Sequence, residues 1–160
     1  MSHELRDGET ALPFDPAETA DGPRVVFIGA IRSPWKPGDA PRNVSRARES
    51  GCEYARLELK APYVAGLTGL EVGRQIIVLY WMDQGRRDLI LQKPAHLDSP
   101  RGTFVLRSPQ RPNPIALATV RITSLDLENG IVGIDAIDCF DGTPLLDIKP
   151  WIKAVDAPVE

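Results

Sequence analysis

The sequence predicts an all-β protein, with about seven or eight short strands closed into a barrel or a sandwich. Three observations predict it. Apolar and polar residues alternate over short runs, as in half-buried strands. Gly, Pro and an Asn-Gly pair punctuate those runs at turn positions. Nowhere do apolar residues recur with a helical period over about eleven residues. At 160 residues the chain is one domain's length, enough to bury a sizeable core without staples.

The elements follow in order. Residues 1–23 are polar and acidic, with Pro13, Pro16 and Pro23, and read as a flexible tail. Arg24-Val25-Val26-Phe27-Ile28 is β-branched and aromatic, and reads as a first strand stopped by Gly29 and Pro34. Residues 33–51, rich in Pro, Gly, Ser and Arg, read as a long loop of the kind that is functional or disordered. Residues 53–59 partly alternate, and residues 74–81 are continuously apolar after Gln75, as in a strand covered on both faces. Shorter strands are expected at 88–91, 102–107 and 115–122. Asn129-Gly130 then predicts a hairpin into a strand over 130–137, and residues 145–149 form the last strand. The ordered domain is read as 24–153, and 154–160 as a C-terminal tail.

The densest chemistry lies in Arg107-Ser108-Pro109-Gln110-Arg111-Pro112-Asn113-Pro114-Ile115. Each of its prolines fixes φ, removes a backbone donor and pushes the preceding residue toward extended geometry. The result is a stiff loop bearing two guanidinium groups and an amide, with little ordering entropy left to lose on binding. That suits a carboxylate or a phosphate. A proline-rich connector with solvated arginines is the other reading.

Residues 107–118 resemble the signature of the tRNA N6-threonylcarbamoyladenosine methyltransferase (TrmO-like) family. Ile28-Gly29-Ala30-Ile31-Arg32-Ser33-Pro34 resembles that family's opening strand, and residues 141–151, Asp141-Gly142-Thr143-Pro144 through Trp151, its closing one. All three stand in the family's order, over roughly residues 25–152. The resemblance implies a single β-barrel working as a homodimer, here a barrel-only member without an added C-terminal domain. It implies transfer of a methyl group from S-adenosylmethionine (SAM) to N6 of a threonylcarbamoyl-modified adenosine beside a tRNA anticodon, with no metal.

Site residues carry over by position. Pro41-Arg42-Asn43 resembles a cofactor-contacting Pro-Arg-Gln loop, with the amide one carbon shorter. Asp83-Gln84 aligns with a His-Gln pair, an anion replacing a possible neutral donor. Arg107 is assigned to the cofactor, and Arg111 to loop geometry or to tRNA, with Asn113 beside it. Leu117 offers apolar contact to adenine or is simply core. Asp138, Cys139, Phe140, Asp141, Gly142 and Thr143 form a turn lying against the cofactor, or an ordinary β-turn. Arg46 and Arg48 in the long loop are candidate tRNA contacts. No catalytic base can be named. A non-catalytic SAM- or RNA-binding barrel is the alternative function.

Charge supports a polyanion partner locally. The chain carries -3 overall, but residues 24–121 hold 16 Lys/Arg against 8 acids, while both flanks are acidic. Interleaving on the folded surface would cancel this excess. Cys52 and Cys139 lack metal or redox spacing, fit a reducing cytoplasm, and read as buried small hydrophobes. With only His3 and His96, no zinc set can be assembled. Asp147 and Lys149 share a strand face and are expected to pair. No apolar run reaches the roughly 18 residues of a transmembrane helix, and the acidic N-terminus is no secretory signal.

Overall fold

Along Gln75–Trp81 the side chains alternate: Ile76, Val78 and Tyr80 are buried, whereas Ile77, Leu79 and Trp81 are half-buried. Such a period of two puts one face of a strand on a core, and here the core is the inside of a closed sheet. The computed structural model describes residues 4–19 and 22–159. Its first strands are β1 (Thr10–Ala11), β2 (Gly29–Arg32), β3 (Arg56–Leu59), β4 (Gln75–Trp81) and β5 (Leu89–Gln92). They are followed by β6 (Arg101–Gly102), β7 (Ile115–Asp126), β8 (Ile131–Ile134) and β9 (Thr143–Pro150). Two short helices, α1 (Val44–Glu49) and α2 (Lys153–Asp156), and 3-10 turns at Ala61–Leu67 and Thr103–Val105 complete the elements. No helix among the described residues is long and apolar enough to cross a membrane.

Strands β2-β3-β8-β7-β4-β9, in that spatial order, close a barrel. Ile31, Leu57, Val78, Val120, Ile122, Val132 and Leu145, contributed by all six strands, are each at most 1% exposed. Burying such side chains fully is worth about 1.5–3 kcal/mol each, and closure leaves no open sheet edge. The Asn-Gly hairpin forms as expected between β7 and β8: Gly130 adopts φ +68, and the Asp126 carboxylate accepts from the backbone N–H and side-chain amide of Asn129. The expected Asp147–Lys149 pair also forms, at 3.0 Å.

The chain divides into two units, each compact in itself: Val25–Trp81 with Leu117–Glu160, which holds the barrel, and Met1–Arg24 with Met82–Ala116. The second carries the small sheet β1-β5-β6.

Three sequence expectations are corrected. The first barrel strand is Gly29–Arg32, not residues 24–28; Val25 and Val26 are more than half exposed. Gly29 is required within that strand, since a Cβ would collide with the Glu58 carbonyl of β3. Ile28 just before it already bonds both neighbours, its N–H donating to Leu145 O and its carbonyl accepting from Lys60 N–H. Residues 102–107 form no strand beyond Gly102 but a 3-10 turn at Thr103–Val105. In the segment read as an acidic tail, Thr10–Ala11 pairs with β5 and Leu12 N–H donates to Asp88 O at 2.7 Å. Backbone pairing of two residues leaves no periodicity to read. Residues 1–3, 20 and 21 of that segment, His3 included, and Glu160 at the other end lie outside the described residues. At that end, α2 runs across the 153/154 boundary drawn from the sequence.

Candidate functional site

In the barrel unit, two of the three motif segments are laced together. Trp35 Nε1 donates to Ile137 O at 2.7 Å, and Ser33 Oγ to Cys139 O at 2.7 Å. Asp141 N–H donates to Trp35 O at 2.9 Å and Gly142 N–H to Ile31 O at 2.8 Å, while the Asp141 carboxylate accepts from Ser33 N–H at 3.2 Å. The 138–143 segment turns because Gly142 takes φ +83, a conformation free of penalty only for glycine, and Thr143 donates from both N–H and Oγ1 to Phe140 O.

This geometry sorts the six predicted residues. Thr143 and Cys139 are buried, at 5% and 1% exposure, and turn inward. Burial pushes the Cys139 thiol up to about 12, so it is a small hydrophobe rather than a nucleophile. Phe140 and Asp138 are half-buried, and Tyr80 Oη donates to Asp138 Oδ1 at 2.7 Å. Asp141 and Gly142 are exposed. Arg32 bonds Glu58 at 2.9 Å and reaches to 3.7 Å from Asp141. The Arg32 hydrogen bond, with Arg56 adding to it against burial, holds the Glu58 carboxyl below its ordinary range.

The long loop folds locally into α1. Asn43 is its N-cap, its Oδ1 accepting from Arg46 N–H at 2.9 Å. Asparagine is a far better cap than glutamine, which explains the shorter amide here. Pro41 is half-buried, and Arg42 is exposed with no hydrogen bond or ion pair among the described residues. The other two arginines are engaged: Arg46 pairs with Glu49 at 2.8 Å, and Arg48 pairs with Asp135 at 2.7 Å and contacts Thr119 O. Burial works to raise the Asp135 carboxyl, but Arg48 and the Arg121 N–H outweigh it and keep it low. Leu117 is 48% exposed on β7, so it is not core.

In the smaller unit, the proline loop is held by its own carbonyls, the acceptors proline retains. Arg111 Nη1 donates to Leu106 O at 2.9 Å and Ser108 O at 3.4 Å, stapling the loop from within. Arg87 Nε donates to Pro112 O at 2.6 Å, and its Nη2 reaches Asn113 Oδ1 at 3.4 Å. Gln92 Nε2 donates to Gln110 O and to the buried Thr103 hydroxyl. The Asp83-Gln84 turn, exposed, packs on this loop: Met82 N–H donates to Pro114 O at 2.8 Å, and a Cβ on Gly85 would lie 2.7 Å from Pro109 O. Arg107 is exposed, with no hydrogen bond or ion pair among the described residues. Gln110 Oε1 is buried and accepts no hydrogen bond from the described residues.

Sequence reading had not singled out Arg87, Gln92 or Tyr80. Tyr80 carries the one hydroxyl in its apolar run, a signal that was available. Arg87 and Gln92 bond to backbone carbonyls distant in sequence, and composition gives no cue to that.

The groups left available are chemically distinct. In the smaller unit Arg107 offers a cation to a carboxylate. In the barrel unit Leu117 offers an exposed apolar face, while the Asp141 carboxylate is already shared by Ser33 N–H and Arg32. Taken unit by unit, the carboxylate of SAM complements Arg107 in the smaller unit, and its adenine complements the exposed Leu117 in the barrel unit. Among the described residues no group of three or more His, Cys, Asp and Glu is placed to hold a metal ion.

Residues 30–157 match the family described as tRNA-methyltransferase O N-terminal domain. The chain is 40% identical over 130 residues to an S-adenosyl-L-methionine-binding protein of Archaeoglobus fulgidus, covering 81% of this chain and 89% of that one. It is 32% identical over 139 residues to a tRNA (adenine(37)-N6)-methyltransferase of Escherichia coli, covering 81% of this chain and 58% of that one. The crystal structure of TrmO from Pseudomonas aeruginosa superposes with a TM-score of 0.66 at 32% identity, over 87% of this chain and 60% of that one. The chain thus spans about three fifths of the length of these last two proteins.

Proposed function

The chain belongs to the tRNA-methyltransferase O family, and from that premise we propose that it methylates N6 of a threonylcarbamoyl-modified adenosine beside the anticodon of a tRNA, using SAM. The observation that carries this reading is the match of residues 30–157 to the tRNA-methyltransferase O N-terminal domain, and the likeness to a SAM-binding relative over most of both chains supports the cofactor. The free guanidinium of Arg107, on a loop that prolines and Arg111 hold stiff, supports it.

SAM when bound supplies an electrophilic methyl group on a sulfonium. Methyl transfer disperses that positive charge, so fixed dipoles in a water-poor site suffice. Arg107 is assigned to the methionine carboxylate, Asp141 and the backbone of the 138–143 turn to polar groups, and Leu117 to the adenine face. Arg42 and Pro41 are assigned to the same ligand. Asn43 serves it indirectly, by fixing the start of α1 behind them. Tyr80 orients Asp138 by its hydrogen bond. Asp83 and Gln84 are assigned to nucleoside contacts, an anion accepting where the family has a neutral donor. Arg111 and Asn113 shape the loop. No residue is assigned as general base; the proton leaving N6 passes to solvent. The protein is proposed to work in the cytoplasm as a homodimer, which light scattering of the purified protein checks.

Mass spectrometry of threonine-tRNA nucleosides from a strain lacking the gene tests the activity. Loss of the methylated nucleoside, restored by the gene, supports it. Unchanged nucleosides overturn it, and with SAM still bound they would leave a non-catalytic SAM-binding barrel.

A further inference from the structure

We propose that a cleft of ≈ 680 Å³ at the barrel rim where β4 begins and β9 ends binds an unpaired stretch of RNA. That the polyanion is RNA rests on the proposed tRNA activity; the cleft and its charge do not. Gly73 N–H and Ile122 O bond at 2.8 Å, Ile122 N–H and Arg74 O at 2.9 Å, and Trp151 N–H and Gln75 O at 3.2 Å. These bonds bring Arg74, Arg121 and Trp151 to one end of the barrel. Ile76, at 1% exposure, lies beneath them. The 138–143 turn leads into β9, whose eight residues span seven steps of roughly 3.3 Å and so carry the chain about 23 Å to this rim. The cleft is therefore separate from the 138–143 turn.

Its chemistry is that of a single-strand groove, where cations track phosphates and an aromatic plane receives a base. Arg74, Arg121 and Lys153 line it, and Glu71 is the one acidic lining residue. Glu71 offsets little: it stands 3.9 Å from Arg74, and both side chains are about three-quarters exposed. Lys153 has no ion pair among the described residues. Arg121 Nη1 donates to Gly73 O at 3.1 Å, which steadies the guanidinium without cancelling its charge. Trp151 lines the same cleft, half-buried. A volume of this size lies in the range of ligand clefts and admits a nucleotide with its flanking phosphates.

The test uses a short fluorescein-labelled single-stranded oligoadenylate, with a heparin fragment as a base-free polyanion and SAM titration on every variant. The double variant Arg74→Glu, Lys153→Glu changes two exposed side chains and should fold as the parent does. We expect it to bind oligoadenylate roughly tenfold or more weakly, with the logarithmic salt slope flattened by about 1–2, and to bind SAM unchanged. Trp151→Ala should weaken oligoadenylate but not heparin. Oligoadenylate affinity and salt slope unchanged in the double variant overturn the proposal and leave the tRNA activity standing. Equal weakening of both polyanions by Trp151→Ala overturns the stacking role. If the unaltered protein binds neither oligoadenylate nor tRNA while still binding SAM, the cleft proposal and the tRNA activity fall together.

Discussion

The two motif loops are stiffened by opposite means. In the 138–143 turn nearly every polar group is engaged: backbone amides run to Ile31 and Trp35, Asp138 receives Tyr80, and Cys139 and Thr143 are buried. In the 107–113 loop, prolines supply the stiffness, Arg111 and Arg87 tie down the carbonyls, and Arg107 is left free in solvent. A turn held by its own side chains has backbone and a few exposed groups to give a ligand. A loop whose rigidity comes from φ restriction can leave a charged side chain uncommitted. Substitutions in the two should therefore fail differently, one through the fold and the other through binding.

The sharpest contrast is Arg107→Ala, which should weaken SAM by about 1.5–3 kcal/mol, roughly ten- to hundredfold, as the loss of a charge-assisted contact. Its melting temperature should stay at the parent's. A collapsed melting temperature with affinity intact would make Arg107 structural and erase the contrast. Tyr80→Phe tests the other region. It removes the donor to a half-buried Asp138 and should lower stability by about 1–3 kcal/mol in denaturant unfolding. Unchanged stability would show that the hydrogen bond does not hold the turn.

A smaller effect separates two arginines of the long loop. Arg48→Ala breaks the Asp135 pair and should cost up to about 1 kcal/mol, while Arg42→Ala should leave stability alone and weaken ligand binding. The smallest effect is on pH. Arg32 lowers the Glu58 carboxyl, so this pair adds stability above the ordinary carboxylate range and loses it as pH falls through the lowered value. Glu58→Gln should therefore be less stable near neutrality and shallower in its acid-side decline. A decline as steep as the parent's would assign it to other carboxylates.

Most of the strands were legible because they carry a period of two and one hairpin an Asn-Gly turn, both local signals; that they close into a barrel rather than a sandwich was implied by the family resemblance alone. Gly29 shows where legibility stopped. The β-branched run before it reads as the strand, but the paired strand runs on through Gly29–Arg32, and the close approach to Glu58 that requires the glycine is one that only the partner strand reveals. Thr10–Ala11 was hidden because two residues bonded to β5 have no pattern of their own. Among candidate site residues, the proline loop and the 138–143 turn stood out by composition. Which candidate side chains remain free did not stand out, because Arg48 and Asn43 in the long loop and Arg111 in the proline loop find partners that sequence does not display. The net positive excess of residues 24–121 is partly offset by acids from outside that segment, Asp135 on Arg48 and Asp141 at 3.7 Å from Arg32.

Calorimetric titration of the purified protein with SAM tests the central claim most directly. Binding near one site per chain, with the demethylated product bound comparably and Arg107→Ala weakened at least tenfold, is the predicted result. The absence of heat and of any thermal shift at millimolar SAM would contradict it.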